Sequence, residues 1–409
     1  SVAALEGTEV RLVLGRHELR DFTDTELVIA NPAVSPKNEF LLAAHGAGVR
    51  IATEIDLFLE RCPAKVAGIT GTQGKSSTAH FLYQLLVAAG LPARLGGNIG
   101  RSLLEELDSM TEDETCVLEL SSYQLEGLSR ELASKPLSLG AITNLQEDHL
   151  ERHGSPDNYH GAKLELVSLL AQGAPLLTGP GVAVRAKELA QGALEEVTLH
   201  ECDANEEAAD ESFTFMGELL GSATDAAHLP KFQRANLLIA LRAARLLGVT
   251  SAALRAAVPK LSGLEHRLED LGLIAGRRVY DNGVSTTPDS TEAALTSLSG
   301  PLTLIAGGQA KALPLDDLVR EIAARPIQVV LFGACAEEWA RTLRTADITC
   351  EVTVDVPSAV DRALALCKEG GTLLFSPAAA SFDAYANFRE RAVEFRAAIT
   401  GRSSDIKPS

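Results

Sequence analysis

The chain has 409 residues, of which 46% are hydrophobic and 22% charged, and a formal net charge of −18 at pH 7. This length exceeds one ordinary core, so two or three domains are expected. The acidic balance excludes a nucleic-acid surface, which needs a basic footprint, and no apolar run approaches the roughly 20 residues of a membrane span. The first ten residues lack the basic and apolar regions of a secretory signal, so a cytoplasmic protein is expected.

The six cysteines are scattered and form no C-x-x-C pair. Because most lie in apolar surroundings, they are predicted to be buried reduced thiols and not a zinc site or disulfide frame.

The first 60 residues alternate between predicted strands and helices. Strands are predicted over 10–14, 26–30 and 49–52, and helices over 38–46 and around 55–59. These strands and helices are few for a complete domain. Either its first units are missing or the domain is unusually small.

Residues 64–78, AKVAGITGTQGKSST, predict a short strand, a glycine turn and a helix closed by Gly90. Such a turn aims backbone N–H groups at one point and suits a phosphate. Lys75 would reach the outer phosphates, and the hydroxyl of Ser76 or Ser77 would bind Mg²⁺. Ile69 occupies the first glycine position of the strict G-x-x-x-x-G-K-[ST] pattern. The strand–turn–helix context still predicts a nucleoside-triphosphate site.

Two further alternating series follow. Before a boundary near Gly263, strands are predicted over 116–120, 141–144, 175–178 and 197–200, and an amphipathic helix over 231–247. After it, strands are predicted over 278–281, 302–306, 328–332, 349–354 and 372–375, and Thr287 and Pro288 begin a helix. Both series indicate doubly wound α/β domains.

Single residues at strand tips admit a functional and a plain interpretation. Glu119 ends an apolar strand near the glycine turn. It is either a carboxylate that binds Mg²⁺ or a solvated glutamate. His149, in a Glu-Asp-His run, is a metal ligand or part of a surface cluster. Lys163 alone indicates a surface lysine. Arg267 either stabilises the charge on the group that is transferred or forms an ion pair between domains.

Three strand tips of the last series carry small, polar or charged residues, over 281–288, 307–311 and 376–383. Because the carboxyl ends of parallel strands meet at one edge of a sheet, these loops predict a binding edge.

Taken in order, the sequence resembles the Mur ligases, the ATP-dependent amide-bond ligases of bacterial cell-wall precursor synthesis. The motifs that carry the resemblance are GITGTQGKSS at 68–77, GGNIG at 96–100, LELSSYQLE at 118–126, EDHLER at 147–152, AK at 162–163, HR at 266–267, DSTEAA at 289–294, GG at 307–308 and SPAAASFD at 376–383 with Asn387 and Phe388. The second, third and last of these are most similar to the branch that adds glutamate.

The resemblance implies an α/β enzyme of three domains. These are a shortened Rossmann-like UDP-binding domain over 1–60, a central P-loop ATPase domain over 61–264 and a C-terminal Rossmann-like amino-acid-binding domain over 265–409. The implied enzyme is a monomer whose substrates are ATP, UDP-N-acetylmuramoyl-L-alanine and glutamate, with the D form expected. ATP would activate the substrate carboxylate as an acyl phosphate, which the amine of glutamate attacks.

The resemblance also implies residue roles. Lys75, Glu119, His149 and Lys163 would be catalytic, with Lys163 carbamylated and two Mg²⁺ ions held by Ser76, Glu119, His149 and the carbamate. The residues implied to bind ATP are Gly71, Thr72, Gln73, Gly74, Lys75, Ser76, Ser77, Asn236, Arg267 and Asp281. Those implied to lie near the UDP-substrate are Asn31, Pro32, Asn98, Ser121 and Gln124. Those implied to bind glutamate are Lys311, Ser381, Phe382 and Phe388.

The sequence departs from the family pattern in two places besides its N-terminus. Phe232-Gln233 replaces a His-Asn pair, and Asp281-Asn282-Gly283 lacks a lysine that many members carry. The alternatives are another Mur or folylpolyglutamate-type ligase, and a nucleotide-binding relative with weak catalysis. The second is disfavoured because a switch has no need of a second metal site.

Overall fold

The computed structural model describes residues 7–99, 102–128, 136–202, 212–230, 233–311 and 313–401. They form two compact units. The first runs to Ala226 and continues from Gln233 to Leu261, and the second contains the residues from Ser262 onward and a short segment that begins at Ala227.

Among the described residues, the first unit carries ten strands and eleven α-helices. The strands are β1 (Leu27–Ile29), β2 (Arg50–Ala52), β3 (Lys65–Thr70), β4 (Ala93–Gly97), β5 (Thr115–Glu119), β6 (Leu139–Ile142), β7 (Pro175–Thr178), β8 (Thr198–Glu201), β9 (Ser212–Phe215) and β10 (Glu218–Ser222). The helices are α1 (Arg20–Thr23), α2 (Glu39–Gly46), α3 (Glu54–Arg61), α4 (Lys75–Ala88), α5 (Ser122–Gly127), α6 (Leu150–His153), α7 (Pro156–Ser168), α8 (Val182–Leu189), α9 (Gln191–Leu194), α10 (Arg234–Leu246) and α11 (Ser251–Ala257).

The main sheet of this unit has the order β4-β5-β3-β6-β7-β8 and is parallel throughout. Strands β3 and β5 are almost continuously apolar because helices cover both faces. Since β3 lies between β5 and β6, the loops that leave these three strands meet at one edge of the sheet.

The N-terminal part of the unit forms a small parallel pair, β1 with β2, whose register sets Leu27 against Arg50. Helix α3 begins with a capping box between Thr53 and Asp56. The predicted strand over 10–14 is wrong. Val10 and Leu14 there are more than half exposed, and within the described residues the segment pairs with no strand.

The second unit carries a six-stranded sheet of order β11-β12-β16-β13-β14-β15, antiparallel only between β11 and β12. Its strands are β11 (Glu269–Ile274), β12 (Arg277–Asp281), β13 (Leu302–Gly307), β14 (Ile327–Phe332), β15 (Cys350–Val352) and β16 (Thr372–Phe375). Its α-helices among the described residues are α12 (Pro288–Thr296), α13 (Asp316–Ala323), α14 (Ala336–Thr345), α15 (Val356–Leu366) and α16 (Phe388–Gly401).

The predicted α/β class and the two doubly wound series are confirmed. The six cysteines are free and buried, as predicted. Within the described ranges, each helix is too short or too polar to cross a membrane.

Candidate nucleotide, metal and substrate sites

The glycine turn between β3 and α4 has the backbone that its glycines permit. Gly71 and Gly74 have φ of 146° and 79°, a region that side chains disfavour. A Cβ at Gly71 would overlap Thr143 Oγ1, and one at Gly74 would overlap the side chain of Asn236. The turn is therefore packed too closely for any larger residue. Asn236, an implied adenine contact, lies beside the turn.

Residues after β6 hold this turn. Asn144 accepts a hydrogen bond from Gln73 N at 2.9 Å and donates one to Gln73 O at 3.0 Å. Thr72 Oγ1 donates to Gln146 O at 3.2 Å and accepts from Gln146 N at 3.0 Å. The two central residues of the turn are thus fixed, which preorganises its backbone N–H groups for an anion.

The helix that starts at this turn presents the predicted phosphate-binding side chains. Lys75 Nζ donates to Thr72 O at 3.1 Å, which folds the lysine back over the loop. Ser76 is half-buried. Ser77 is 1% exposed, and its Oγ has no hydrogen-bond partner within the described residues.

Glu119 lies at the end of β5, on the strand next to β3, and is 1% exposed. Its Oε1 accepts a hydrogen bond from Asn98 Nδ2 at 3.0 Å. Its Oε2 is buried and has no partner among the residues that the structure describes. A buried carboxylate oxygen without a donor is costly unless a cation approaches it. Carboxylate and hydroxyl oxygens are also the donors that Mg²⁺ prefers, so Glu119 and the serines that follow β3, the neighbouring strand, are of the residue types that suit the ion.

Lys163 on α7 is buried, with 1% of its surface exposed. Its Nζ donates to Gly71 O at 2.9 Å and lies 4.6 Å from the centre of the Tyr159 ring. Burial, and secondarily the charge of Lys75, lowers the pKa of Lys163 to about 7. The residues alone indicated a surface lysine, but Lys163 is buried. With a pKa of about 7, a large fraction of its side chain is the neutral amine at neutral pH.

His149 caps the N-terminus of α6 with φ of 50°, a strained conformation for a non-glycine residue. Its Nδ1 lies 3.4 Å from the hydroxyl of Tyr123, and its ring centre lies 6.0 Å from that of Tyr159. The side chain is 45% exposed. His149 and Lys163 thus both contact Tyr159, a residue to which the sequence assigned no role although it lies one helical turn before Lys163.

Within the described residues, no three His, Cys, Asp or Glu side chains form a ready-made metal cluster. The implied second metal site therefore depends on His149 together with the carbamate of Lys163. Both remain predictions.

Ser121 and Gln124, predicted near the UDP-substrate, form a capping box that starts α5. Ser121 N donates to Gln124 Oε1 at 2.9 Å, and Gln124 N donates to Ser121 Oγ at 3.3 Å. Asn98 is hydrogen-bonded to Glu119. Asn31 and Pro32 follow β1, where Asn31 Oδ1 accepts from Ala33 N at 2.9 Å.

The predicted residues of the second unit fall into two groups. Asp281 is completely buried, with its Oδ2 2.7 Å from both His266 Nδ1 and Arg396 Nε. His266 and Leu268, on either side of Arg267, both have positive φ. The turn that carries Arg267 is thus fixed to β12 through His266. Nucleotide contacts of Arg267 and Asp281 remain predictions.

The second group lies at the carboxyl ends of β13 and β16. Lys311 Nζ donates to Thr286 Oγ1 at 3.2 Å, Ser381 is 2% exposed and Phe382 is 70% exposed. Phe388 begins α16. Arg391 on this helix was not predicted from the sequence. Its buried Nη1 donates to Ala379 O, Ala380 O and Gly307 O at 2.9, 3.0 and 3.3 Å, which joins two of these loops.

Residues 69–244 match the Mur ligase middle domain. The chain is 34% identical to a UDP-N-acetylmuramoylalanine--D-glutamate ligase of Roseiflexus sp. (strain RS-1), over 97% of this chain and 89% of the relative. It is 32% identical to the ligase of the same name from Symbiobacterium thermophilum, over 98% of this chain and 90% of the relative.

A solved structure with the same fold is the MurF ligase of Thermotoga maritima in complex with ADP, with a TM-score of 0.62 at 17% identity, over 94% of this chain and 99% of that one. The fold and the two relatives, each similar over nearly the whole chain, agree with one another. The chain belongs to the Mur ligase family.

Proposed function

We propose that the chain is an ATP-dependent carboxylate–amine ligase that joins D-glutamate to UDP-N-acetylmuramoyl-L-alanine in peptidoglycan precursor synthesis. Two relatives similar over nearly the whole chain are named for this activity. The observation that carries the proposal is the arrangement at the carboxyl ends of β3 and β5. There a preorganised phosphate turn with Lys75 is followed, one strand away, by a buried carboxylate oxygen of Glu119 that lacks a partner among the described residues.

The reaction has two steps. The terminal carboxylate of the UDP-substrate attacks the γ-phosphorus of ATP, and the bond to the β-phosphate oxygen breaks, so ADP leaves and an acyl phosphate forms. The free amine of glutamate then attacks the acyl carbon. The carbon–oxygen bond to phosphate breaks, the amine loses a proton, and the products are the amide and inorganic phosphate.

The protein's contribution is position and charge, because attack of one anion on another is slowed mainly by repulsion. The backbone N–H groups over 71–77 would hold the phosphates, and Lys75 would turn from Thr72 O to the β- and γ-phosphates. Its positive charge would offset the charge of the attacking carboxylate.

Glu119 and Ser76 would hold one Mg²⁺ ion, and His149 with a carbamate on Lys163 would hold a second. When bound, Mg²⁺ would neutralise part of the negative charge of the phosphates. The first pair is supported by the buried Oε2 of Glu119, which has no partner in the described part of the chain.

Carbamylation of Lys163 is supported by its environment. Carbamate formation requires the neutral amine, whose nitrogen bonds to the carbon of CO₂ and loses a proton. The lowered pKa of Lys163, about 7, provides that amine at neutral pH. The hydrogen bond to Gly71 O can persist after the reaction, since a carbamate nitrogen keeps one N–H.

The substrates would occupy different loops. The carboxylates of glutamate would lie at Lys311, Ser381, Phe382 and Phe388, partly on backbone groups. The UDP-substrate would lie near Asn31, Pro32, Asn98, Ser121 and Gln124. Action in the cytoplasm as a monomer, and division of the chain into three domains, are part of the same proposal.

Phosphate release from ATP tests the proposal. It is expected to require UDP-N-acetylmuramoyl-L-alanine and glutamate together, with Lys163→Ala inactive and partly rescued by a short carboxylic acid that replaces the carbamate. Release that is indifferent to either substrate would contradict the ligase assignment, and full activity of Lys163→Ala would contradict the carbamate.

A further inference from the structure

Arg152, on the short helix α6, binds a segment that is distant in the sequence. Its Nη1 donates to Ala33 O at 3.0 Å, and its Nη2 donates to Pro32 O at 3.3 Å and Val34 O at 3.2 Å. One guanidinium group therefore holds three successive carbonyls of the loop that follows β1. Only 12% of the Arg152 side chain is exposed.

The other side of the same guanidinium faces α5. Arg152 Nε donates to Glu126 Oε2 at 3.0 Å, and its central carbon lies 4.9 Å from the centre of the Tyr123 ring. Nε2 of His153, the next residue, lies 3.2 Å from Ser122 Oγ. Helices α5 and α6 and the segment Asn31–Val34 are thus joined at one side chain.

The planar fork of arginine suits this task. A guanidinium presents five donors in fixed directions, so it can hold several acceptors at once, whereas an ammonium group is a compact point charge. The loop itself is exposed at Ala33 and Val34. Arg152 therefore supplies a rigid link between this exposed loop and helix α5.

A cavity of about 320 Å³ lies beside this link. Asn31, Pro32, Tyr123 and Arg152 are among the residues that line it. The loop after β1 and the start of α5 therefore face a common space, and both stretches carry residues that we assign to the UDP-substrate.

We propose that Arg152 is a positioning residue for the UDP-linked substrate. It sets the position of Asn31–Val34 against the start of α5, which carries Ser121 and Gln124, so that the two stretches bind one ligand. Through Tyr123 the same contact reaches His149. This inference rests on the proposed function and adds to it a residue that is not itself required to touch the reacting atoms.

Two variants of the full chain test it, Arg152→Lys and Arg152→Gln. The KM for UDP-N-acetylmuramoyl-L-alanine is expected to rise about tenfold in Arg152→Lys and about thirtyfold in Arg152→Gln, because the bonds to charged donors are lost in part or entirely. The KM for ATP and for glutamate should stay within about twofold of wild type, and kcat within about threefold.

Arg245→Gln is the matched control. Arg245 donates from Nε and Nη2 to Glu218 at 3.0 and 2.9 Å. It lies near the last residue of α10, whereas Asn236, the residue of this helix that is assigned to ATP, lies in its first turn. Its loss removes a comparable ion pair and should leave all three KM values unchanged. If Arg152→Gln fails to fold, Glu126→Gln weakens the same link with Arg152 in place, and a smaller rise in the same KM is expected.

Equal changes in all three KM values, or a lowered Tm with unchanged KM values, would overturn the inference. Calorimetric titration with UDP-N-acetylmuramoyl-L-alanine measures the affinity without turnover. If the wild type binds this ligand but makes no product, the proposed function fails while the role of Arg152 is still tested. If the wild type and Arg152→Gln bind it equally, the inference fails alone.

Discussion

Lys163 is a residue whose surroundings, and not its sequence neighbours, determine its chemistry. A helical lysine is normally solvated, yet here α7 packs so that the amine meets a backbone carbonyl and an aromatic ring. The sequence could not predict this burial, because the packing of α7 against the glycine turn is a tertiary contact over 92 positions. Only the family resemblance pointed to the residue.

We expect Lys163→Met to be more stable than the wild type at pH 6, by an amount that shrinks as the pH rises. The pKa of Lys163 is about 7 in the folded chain, whereas the ordinary pKa of a lysine in an unfolded chain is 10.5. The unfolded chain therefore binds more protons between these values, and wild-type stability rises by about 1 kcal/mol per pH unit above pH 7.

Urea unfolding in bicarbonate-free buffer at pH 6, 7, 8 and 9 measures this difference. Lys187→Met, at an exposed position on α8, is the control and should show a gap that does not depend on pH. A constant gap for Lys163→Met as well would mean that the charged amine is not penalised in the fold.

Glu119→Gln is expected to remove most of the Mg²⁺-dependent stabilisation by ADP. The substitution keeps the shape of the side chain but removes the charge that leaves Oε2 in need of a cation. Thermal unfolding with ADP, with and without Mg²⁺, measures the effect. Glu201→Gln changes another glutamate at a strand end of the same sheet, exposed, and should behave as wild type. An unchanged Mg²⁺ effect in Glu119→Gln would refute this metal ligand.

Among the elements, β3, the glycine turn and α4 were predicted because their signals are local: an apolar run, glycines and helical spacing. Two antiparallel hairpins were not predicted, β9–β10 and β11–β12. Their two-residue turns, Met216-Gly217 and Ala275-Gly276, both take positive φ. Such turns are recognised in a sequence by Asn-Gly or Asp-Gly, and methionine and alanine give no such signal.

Arg152 and Arg391 were also not assigned from the sequence. Each is a single arginine whose contacts lie far along the chain or at carbonyls that carry no sequence signal. Conversely, the strand predicted over 10–14 had suitable residues but lacks a neighbouring strand in the described part of the chain.

The two ends of α4 offer a matched test of the glycine turn. Gly74 and Gly90 have φ of 79° and 78°, but only at Gly74 would a Cβ overlap a neighbour, the side chain of Asn236. Gly90→Ala should therefore cost about 1 kcal/mol of stability, from the backbone alone. Gly74→Ala should cost more and should abolish binding of ADP, because the turn or Asn236 must move.

Fluorescence titration with a labelled ADP analogue and denaturant unfolding together separate these effects. If Gly74→Ala binds nucleotide as tightly as Gly90→Ala does, the turn at Gly74 is not the phosphate site.

For the whole molecule, we assign the phosphates of the nucleotide to the first unit and glutamate to the second. ADP with Mg²⁺ should slow hydrogen exchange in the first unit, at residues 71–77 and 143–146, which hold one another by hydrogen bonds. Glutamate, added in the presence of the other ligands, should slow exchange in the second unit, over 307–311 and 376–383. Protection of the second pair of loops by nucleotide alone would contradict this division.

Amide formation between UDP-N-acetylmuramoyl-L-alanine and D-glutamate is the activity on which every proposed residue role depends. The most direct measurement supplies ATP, Mg²⁺ and this UDP-substrate with D-glutamate, L-glutamate, lysine or diaminopimelate, and identifies the product by mass. We expect one new amide product, with D-glutamate. Product with lysine or diaminopimelate but not with D-glutamate would contradict this activity.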